Sequence, residues 1–395
     1  MDELHHRDRC AVAGIGSTEF SRESGRSVLS LATEAGLAAI TDAGLTPADI
    51  DGIVRCDFDV VTHHDLANSL GLPNLTYWSA HGPGGSAPCS MMASAVGAIL
   101  SGQATAVLVF RSLNGRSGFR LGKGRNQLDS GPIGGNGSYE EFFVPNGLVS
   151  PGQAWALLAQ RHMHEYGTTH EQLGSIAVTV RERANANPAA QMAGRTLTME
   201  DYLESPFIST PLRLFDYCLE TDGACAVVVT TAERARDLAQ PPALISAVAM
   251  GSVPGPQGGM AAPTLMRPDP MLLPSVNIAE ALYRRAGMGP EDIDVAQFYD
   301  CFTITVLVQL EDYGFCVRGE GGPFAASGAI GKGGSLPINT SGGNLSEGYI
   351  HGMSHIVEGV RQIRGESPSQ VPGAETCLVT SGLPIISSGM ILRSA

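Results

Sequence analysis

Apolar positions in this chain follow two periods, one of a strand and one of a helix, and the pair of patterns occurs twice. Arg9 to Gly14 is a short apolar run that predicts a strand. From Ser27 to Ala43 the apolar positions fall at helical spacing, with Ser27 placed to cap the helix. Ile50 to Phe58 predicts a strand, and Ala87 to Leu100 a strongly apolar helix. Pro88 falls in that helix's first turn, where a missing N–H costs nothing. Ala104 to Phe110 predicts a buried strand, so helices and strands alternate as in a layered α/β fold. At Asn114 the rhythm stops. A Gly/Ser/Asn-rich stretch follows, then amphipathic helices at about Pro151–Tyr166 and His170–Asn187. It resumes at Leu212 with a buried strand at Ala224–Thr230. After Gln240-Pro241-Pro242 come a helix at Ser275–Ala286 and strands at Val295–Tyr299 and Thr376–Thr380.

The second run echoes the first. Ala43-Gly44-Leu45-Thr46-Pro47-Ala48-Asp49-Ile50-Asp51 returns as Ala286-Gly287-Met288-Gly289-Pro290-Glu291-Asp292-Ile293-Asp294, a shift of 286 − 43 = 243 residues. Gly85 through Gly102 runs parallel to Gly348 through Gly365, a shift of 348 − 85 = 263. Each segment opens on glycine, continues as an apolar helix and ends on glycine. The chain therefore reads as a duplicated α/β unit, residues 1–240 and 241–395. The first half carries an insertion at about 114–205 that is expected to cap a site, because long loops in compact domains are usually functional. Its Gly122–Gly137 loop is expected to act as a movable lid.

Composition narrows the function. The net charge of −14 argues against a nucleic-acid partner, which needs a positive footprint. No window is apolar for the roughly 18 residues of a membrane span. The start, MDELHHRDRC, lacks the apolar core of a secretory signal, so the chain is expected to be cytoplasmic. None of the eight cysteines forms a CxxC pair, which disfavours a zinc knuckle. The only lysines are Lys123 and Lys332, which confines any Schiff-base chemistry to those two. His63-His64 and His162/His164 are expected at the surface. His351 and His355, spaced i, i+4, suggest a metal pair on spacing alone, but no carboxylate stands at zincin spacing, so supporting roles are favoured.

Three segments concentrate candidate chemistry: GPGGSAPC ending at Cys89, FYDCF at 298–302, and SGGNLSEGYIHG at 341–352. With PLRLFDYCLETDGACAVVV at 211–229 and LPINT ahead of the glycines, they resemble the thiolase superfamily over nearly the whole chain. Within it they resemble the sterol-carrier or lipid-transfer-protein branch, and most of all its bacterial steroid side-chain-cleaving aldolases. The resemblance implies a thiolase fold: duplicated βαβαβαββ halves in a layered αβαβα arrangement, usually dimeric, with the strand near Ala104–Phe110 as the pairing edge. The departures from a thiolase are as telling. The nucleophilic cysteine's register, at a helix start that favours a thiolate, falls on Ser86. The histidine of the thiolase Gly-His-Pro turn is Tyr349, and that of the branch's His-Asp-Cys-Phe motif is Tyr299.

Without that cysteine and histidine, acyl-enzyme chemistry is lost and proton chemistry remains. The resemblance implies retro-aldol cleavage of a β-hydroxyacyl-CoA, a 17-hydroxy steroid-CoA giving a 17-ketone of the androstenedione type and propionyl-CoA. Tyr299 and Tyr349 are the candidate proton carriers, with Tyr349 favoured as base for the hydroxyl and Tyr299 as acid for Cα. Ser86, Gly343, Gly348, His351 and Gly389 are candidates for touching the substrate or holding its oxyanion, Ser86 as a helix cap. No cofactor is expected in this chain, CoA being part of the substrate. The family likeness implies a homodimer and a small zinc-ribbon/OB-fold partner that would carry zinc itself. Two other readings stay open: a non-catalytic lipid or acyl-CoA binder, and a true thiolase or acyltransferase using Cys89.

Overall fold

The computed structural model describes residues 6–82, 84–118, 120, 143–253, 267–382, 384 and 386–395. In chain order the first half lays down β1 (Cys10–Ser17), α1 (Val28–Asp42), β2 (Gly52–Cys56), α2 (His63–Leu70), β3 (Tyr77–His81), α3 (Ala87–Leu100) and β4 (Ala106–Asn114). The inserted helices α4 (Pro151–Tyr166), α5 (His170–Ala186) and α6 (Met199–Glu204) follow, then a small hairpin of β5 (Phe207–Ser209) and β6 (Leu212–Arg213), and β7 (Asp222–Thr231). The second half holds β8 (Ala243–Ser252), α7 (Ser275–Ala286), β9 (Val295–Gln297), α8 (Thr303–Asp312), α9 (Met353–Arg364), β10 (Thr376–Gly382) and β11 (Ile386–Arg393).

Local chemistry explains the boundaries. Ser27 Oγ accepts from Ser30 N at 3.1 Å and starts α1. The echoed glycines end helices in the same left-handed geometry: Gly44 at φ +73 and Gly287 at φ +65 after α1 and α7, Gly102 at φ +74 and Gly365 at φ +75 after α3 and α9.

Nine strands form one mixed sheet in the order β3-β2-β4-β7-β1-β8-β11-β10-β9. From β1 outward the first half runs β1-β7-β4-β2-β3, and from β8 outward the second runs β8-β11-β10-β9. The pairings match as well: β2–β4 and β9–β10 are parallel, β1–β7 and β8–β11 antiparallel, β4–β7 and β10–β11 antiparallel. Even a side-chain clamp is repeated. Asp51 accepts from Thr105 N and Oγ1 at the head of β4, and Asp294 from Thr376 N and Oγ1 at the head of β10.

The halves join where Ala11 pairs with Leu244 and Val12 with Ala243. The apolar helices α3 and α9 share one buried cluster with strands of both halves, which makes them the middle layer. α1 and α2 cover the outer face of the first half, and α7, α8 and the inserted helices that of the second. This is the layered, duplicated arrangement expected from the echoes.

Several expectations need correction. β4 is not an edge: it is paired with β2 on one side and β7 on the other, and the sheet ends at β3 and β9. The strand expected at Val295–Tyr299 stops at Gln297 because side chains take over the next N–H groups. Asn339 Oδ1 accepts from Phe298 N and Thr380 Oγ1 from Tyr299 N. His63 is buried and stacked on Trp78 with ring centroids 4.0 Å apart. His162 is buried between Thr168 and Glu311, whereas His64 and His164 are exposed. In the described part of the insertion, Leu173, Ile176, Ala177 and Val180 of α5 pack into the second half's core, and Trp155 of α4 lines a small cavity with Tyr299. The Gly122–Gly137 loop lies outside the described residues.

Candidate active site

Tyr299 is placed by its own backbone. Its N–H donates to Thr380 Oγ1 at 2.9 Å, and its carbonyl accepts from Gln309 Nε2 at 2.9 Å and Thr305 Oγ1 at 3.0 Å. Held this way, the ring points back to the turn that opens α3. A Cβ on Gly85 would meet the hydroxyl and Cζ far inside van der Waals distance, with Cε2 at 2.9 Å. Only a glycine leaves room for the phenol there.

Tyr349 comes from the other echoed turn. Its N–H donates to Thr221 Oγ1 at 2.9 Å. The Tyr349 and Tyr299 hydroxyl oxygens stand 3.1 Å apart, a hydrogen bond between residues fifty positions apart in sequence. One carboxylate ties the two segments together. Asp300, next to Tyr299, accepts from Asn344 N at 2.9 Å and Leu345 N at 3.3 Å, and meets His355 Nε2 at 2.9 Å. A side chain on Gly343 would run into Asp300, so the turn leading to Tyr349 wraps this carboxylate closely. From the other side α5 holds the same turn: Arg181 Nε donates to Ser346 Oγ at 2.8 Å and Asn187 Nδ2 to Ser341 O at 3.0 Å.

Burial pushes both phenols well above the ordinary tyrosine range. At Tyr349 the thiols of Cys218 and Cys301 add to that rise, while the bond with Tyr299 and the Arg111 guanidinium work against it. His351 packs its ring edge-on against Tyr349, centroids 4.6 Å apart. It is buried in a left-handed backbone (φ +51), its Nδ1 has no partner among the described residues, and burial keeps the imidazole neutral.

The remaining candidates divide. Gly348 carries Tyr349 in extended backbone, and its N–H goes to Gly343 O. The N–H groups after Gly343 are taken by Asp300, so this turn does not present them to an oxyanion. Gly389 sits inside β11, paired with Thr380 on one side and Ala249 on the other, which commits its N–H to the sheet. Ser86 is buried beside Gly85 but makes no side-chain cap; its carbonyl accepts from Ser388 Oγ at 2.6 Å. Cys89 is inside the first turn of α3, in contact with Ser381 Oγ at 3.3 Å, and burial pushes its thiol up to about 12. That is the opposite of a thiolate nucleophile's environment. Lys332 is exposed, and Lys123 lies outside the described residues. His355 is engaged by Asp300 while His351 packs on Tyr349, so the two do not act as a pair. Among the described residues no three His, Cys, Asp or Glu side chains are grouped to hold a metal.

Sequence reasoning missed Asp300 and a buried ion pair, while His355 takes a supporting role on Asp300, as the sequence favoured. Arg111, in β4, donates from Nη1 to Gly84 O at 2.6 Å and from Nε to Asp59 Oδ1 at 3.3 Å. An Asp inside FYDCF and an Arg ending an apolar strand were the available signals.

Residues 262–392 match the family described as Thiolase C-terminal domain-like. The chain is 43% identical to the 17-hydroxy-3-oxo-4-pregnene-20-carboxyl-CoA lyase of Mycobacterium tuberculosis, over 97% of this chain and 99% of that one. It is 44% identical to a steroid side-chain-cleaving aldolase of Thermomonospora curvata, over 97% of each. The solved Ltp2-ChsH2(DUF35) aldolase superposes with a TM-score of 0.91 at 42% identity, covering 98% of both chains. With this identity spread over nearly the full length, the protein belongs to the thiolase superfamily, in its branch of thiolase-like steroid side-chain-cleaving aldolases.

Proposed function

We propose that the chain is a carbon–carbon lyase that cleaves the side chain of a 17-hydroxy steroid-CoA by retro-aldol reaction. The products are a 17-keto steroid and propionyl-CoA. A base takes the hydroxyl proton and the oxygen lone pair closes the ketone. The bond to Cα breaks, its electrons pass into the thioester as an enolate, and an acid returns a proton to Cα. Atoms and charge balance without a second reactant, because the thioester is the electron sink.

The observation that carries this reading is the Tyr299–Tyr349 hydrogen bond, made beside the opening of α3, where Cys89 is a buried thiol pushed up to about 12. The pair is assigned the two proton transfers. The Tyr299 bond and Arg111 both favour negative charge on Tyr349, which supports Tyr349 as the base and Tyr299 as the acid. A phenol pair in contact lets one proton leave as another enters. The similarity to a Ltp2-ChsH2(DUF35) aldolase supports assembly with a small zinc-ribbon/OB-fold partner. The β3 edge, unpaired on its outer side among the described residues, and its exposed Trp78 support a homodimer. No described helix is long and apolar enough to cross a membrane.

The test is incubation of the chain, with and without such a partner, with a 17-hydroxy steroid-CoA, and mass detection of propionyl-CoA and the 17-ketone. Intact substrate under both conditions, with binding retained, would favour the non-catalytic binder instead.

A further inference from the structure

The Arg111–Asp59 pair is fully buried at the back of the tyrosine site, and the chemistry described so far does not use it. Both side chains are 0% exposed. Taking two charges out of water is expensive, and such pairs seldom add stability over apolar residues of the same size. The guanidinium is not spent on the carboxylate alone. Nη1 holds the Gly84 carbonyl, and Nη2 has no partner among the described residues. Gly84 is the residue before Gly85, whose missing side chain seats the Tyr299 hydroxyl, and it lies close to His351 Cε1. The Arg111 charge also acts on both phenols.

Around the tyrosine pair the other titratable groups among the described residues offer no comparable cation; Arg55 lies on the Asp59 side, where its Nη1 donates to Asp59 O at 3.1 Å and its charge acts on the Asp59 carboxyl. Cys218 and Cys301 face Tyr349 as neutral thiols, and Cys56 lies near Arg111 as another. His351 is neutral. Asp300 is engaged with His355 and the 343–345 turn. Asp59 opposes Arg111 once it ionises, and burial pushes its carboxyl up to about 6.

We propose that Arg111 is a positioning residue of this site: it fixes the Gly84–Ser86 turn against the Tyr299 hydroxyl and supplies the positive charge under which a phenolate forms at the tyrosine pair, with Asp59 trimming that charge. This deepens the retro-aldol reading and rests on it. It carries a signature that a structural ion pair lacks, because its two members push the pair's ionisation in opposite directions. Removing the cation makes the phenolate harder to form; removing the anion makes it easier.

The experiment measures kcat/KM against pH for the full chain with its partner and a 17-hydroxy steroid-CoA, in Arg111→Met, Asp59→Asn, Tyr349→Phe and wild type. The limb that rises with pH reports the base. Arg111→Met is expected to move it up by about 1 unit or more, and Asp59→Asn to move it down. Coincident limbs, or both variants moving the same way, overturn the proposal. If Arg111→Met does not fold, Asp59→Asn decides alone: it keeps the bond to Gly84, and an unshifted limb in it overturns the proposal. Tyr349→Phe separates the two levels. Wild-type turnover there sinks the assignment of Tyr349 as the base, and the role given to Arg111 with it, while the retro-aldol reading fails only if no propionyl-CoA forms in wild type. A large loss there, beside unshifted Arg111 and Asp59 variants, sinks only the role given to Arg111.

Discussion

Gly85→Ala adds one methyl group and tests the geometry of the site more directly than removing a hydroxyl. Gly85 is not in the left-handed region, so alanine fits its backbone and the effect is steric. The new Cβ would lie 2.9 Å from Tyr299 Cε2, and closer to Cζ and the hydroxyl. A relaxed contact needs roughly 3.5 Å, so the ring tip, the atom struck hardest, must retreat by about 1.5 Å. It cannot do so by sliding along its backbone, which Thr380, Thr305 and Gln309 hold at both N–H and carbonyl. The ring must therefore tilt, and the 3.1 Å bond to Tyr349 is lost. A misplacement near 1 Å costs about 100-fold in rate, while overpacking of this kind costs about 1–3 kcal/mol of stability. Propionyl-CoA release should fall about 100-fold with substrate affinity within a few-fold, and thermal melting should fall modestly. In a Tyr299→Leu background the same alanine should cost almost no stability, because the ring tip it strikes is gone; the double-mutant cycle measures that coupling. Wild-type turnover in Gly85→Ala would refute the reasoning.

Tyr299→Phe and Tyr349→Phe should each lower turnover by roughly 10²–10⁴-fold and leave binding within a few-fold; equal rates in both variants and wild type would make the two residues structural. Cys89→Ala should keep most activity and lose only stability, and an acyl adduct on Cys89 by mass spectrometry would contradict it. Asp300→Asn removes acceptor capacity facing three donors, so a fall in turnover should accompany about 1–3 kcal/mol of lost stability, read by steady-state kinetics and denaturant melts; unchanged values exclude a role in setting the turn. Glu347 is buried with its carboxyl pushed up to about 7. Its folded form binds a proton more tightly than the unfolded chain does, so its favourable contribution is full below about pH 4.5 and lost as pH rises through 7, on the order of 3 kcal/mol. Glu347→Gln should flatten that part of the stability–pH curve in melts, and an unchanged slope would refute it.

The duplication was legible because it is written locally: helix, glycine cap, proline turn and strand recur in register, and each is governed by neighbours in sequence. α3 and α7 begin and end where periodicity and the glycines put them. β3 was not seen, since its alternation of half-buried Tyr77, Ser79 and His81 with exposed Trp78 and Ala80 carries no apolar stripe. The site was legible only in part. Both tyrosines stand in glycine- and aspartate-bearing segments that the sequence singles out, FYDCF and SGGNLSEGYIHG. That the glycine-rich turn spends its N–H groups on Asp300, and that Gly389 spends its own in the ladder, depends on contacts made across the fold. The same holds for Arg111 and Asp59, fifty-two residues apart, which give no sequence signal of pairing.

The repeated Asp–Thr clamp acts as a ruler. In each half an aspartate pins the head of an inner strand, Asp51 at Thr105 just before β4 and Asp294 at Thr376, the first residue of β10. Further along the same strands come Arg111, which holds the Gly84 turn, and Thr380, which holds Tyr299. With one end pinned, reach is set by residue count at about 3.3 Å each, and facing by whether that count is odd or even. Substitutions between clamp and delivered residue change packing but leave this measure intact. A single inserted or deleted residue between Thr105 and Arg111 would turn the arginine to the opposite face of the sheet and unseat the site without touching any residue that lines it. Length, more than side-chain identity, is what these two strands hold constant.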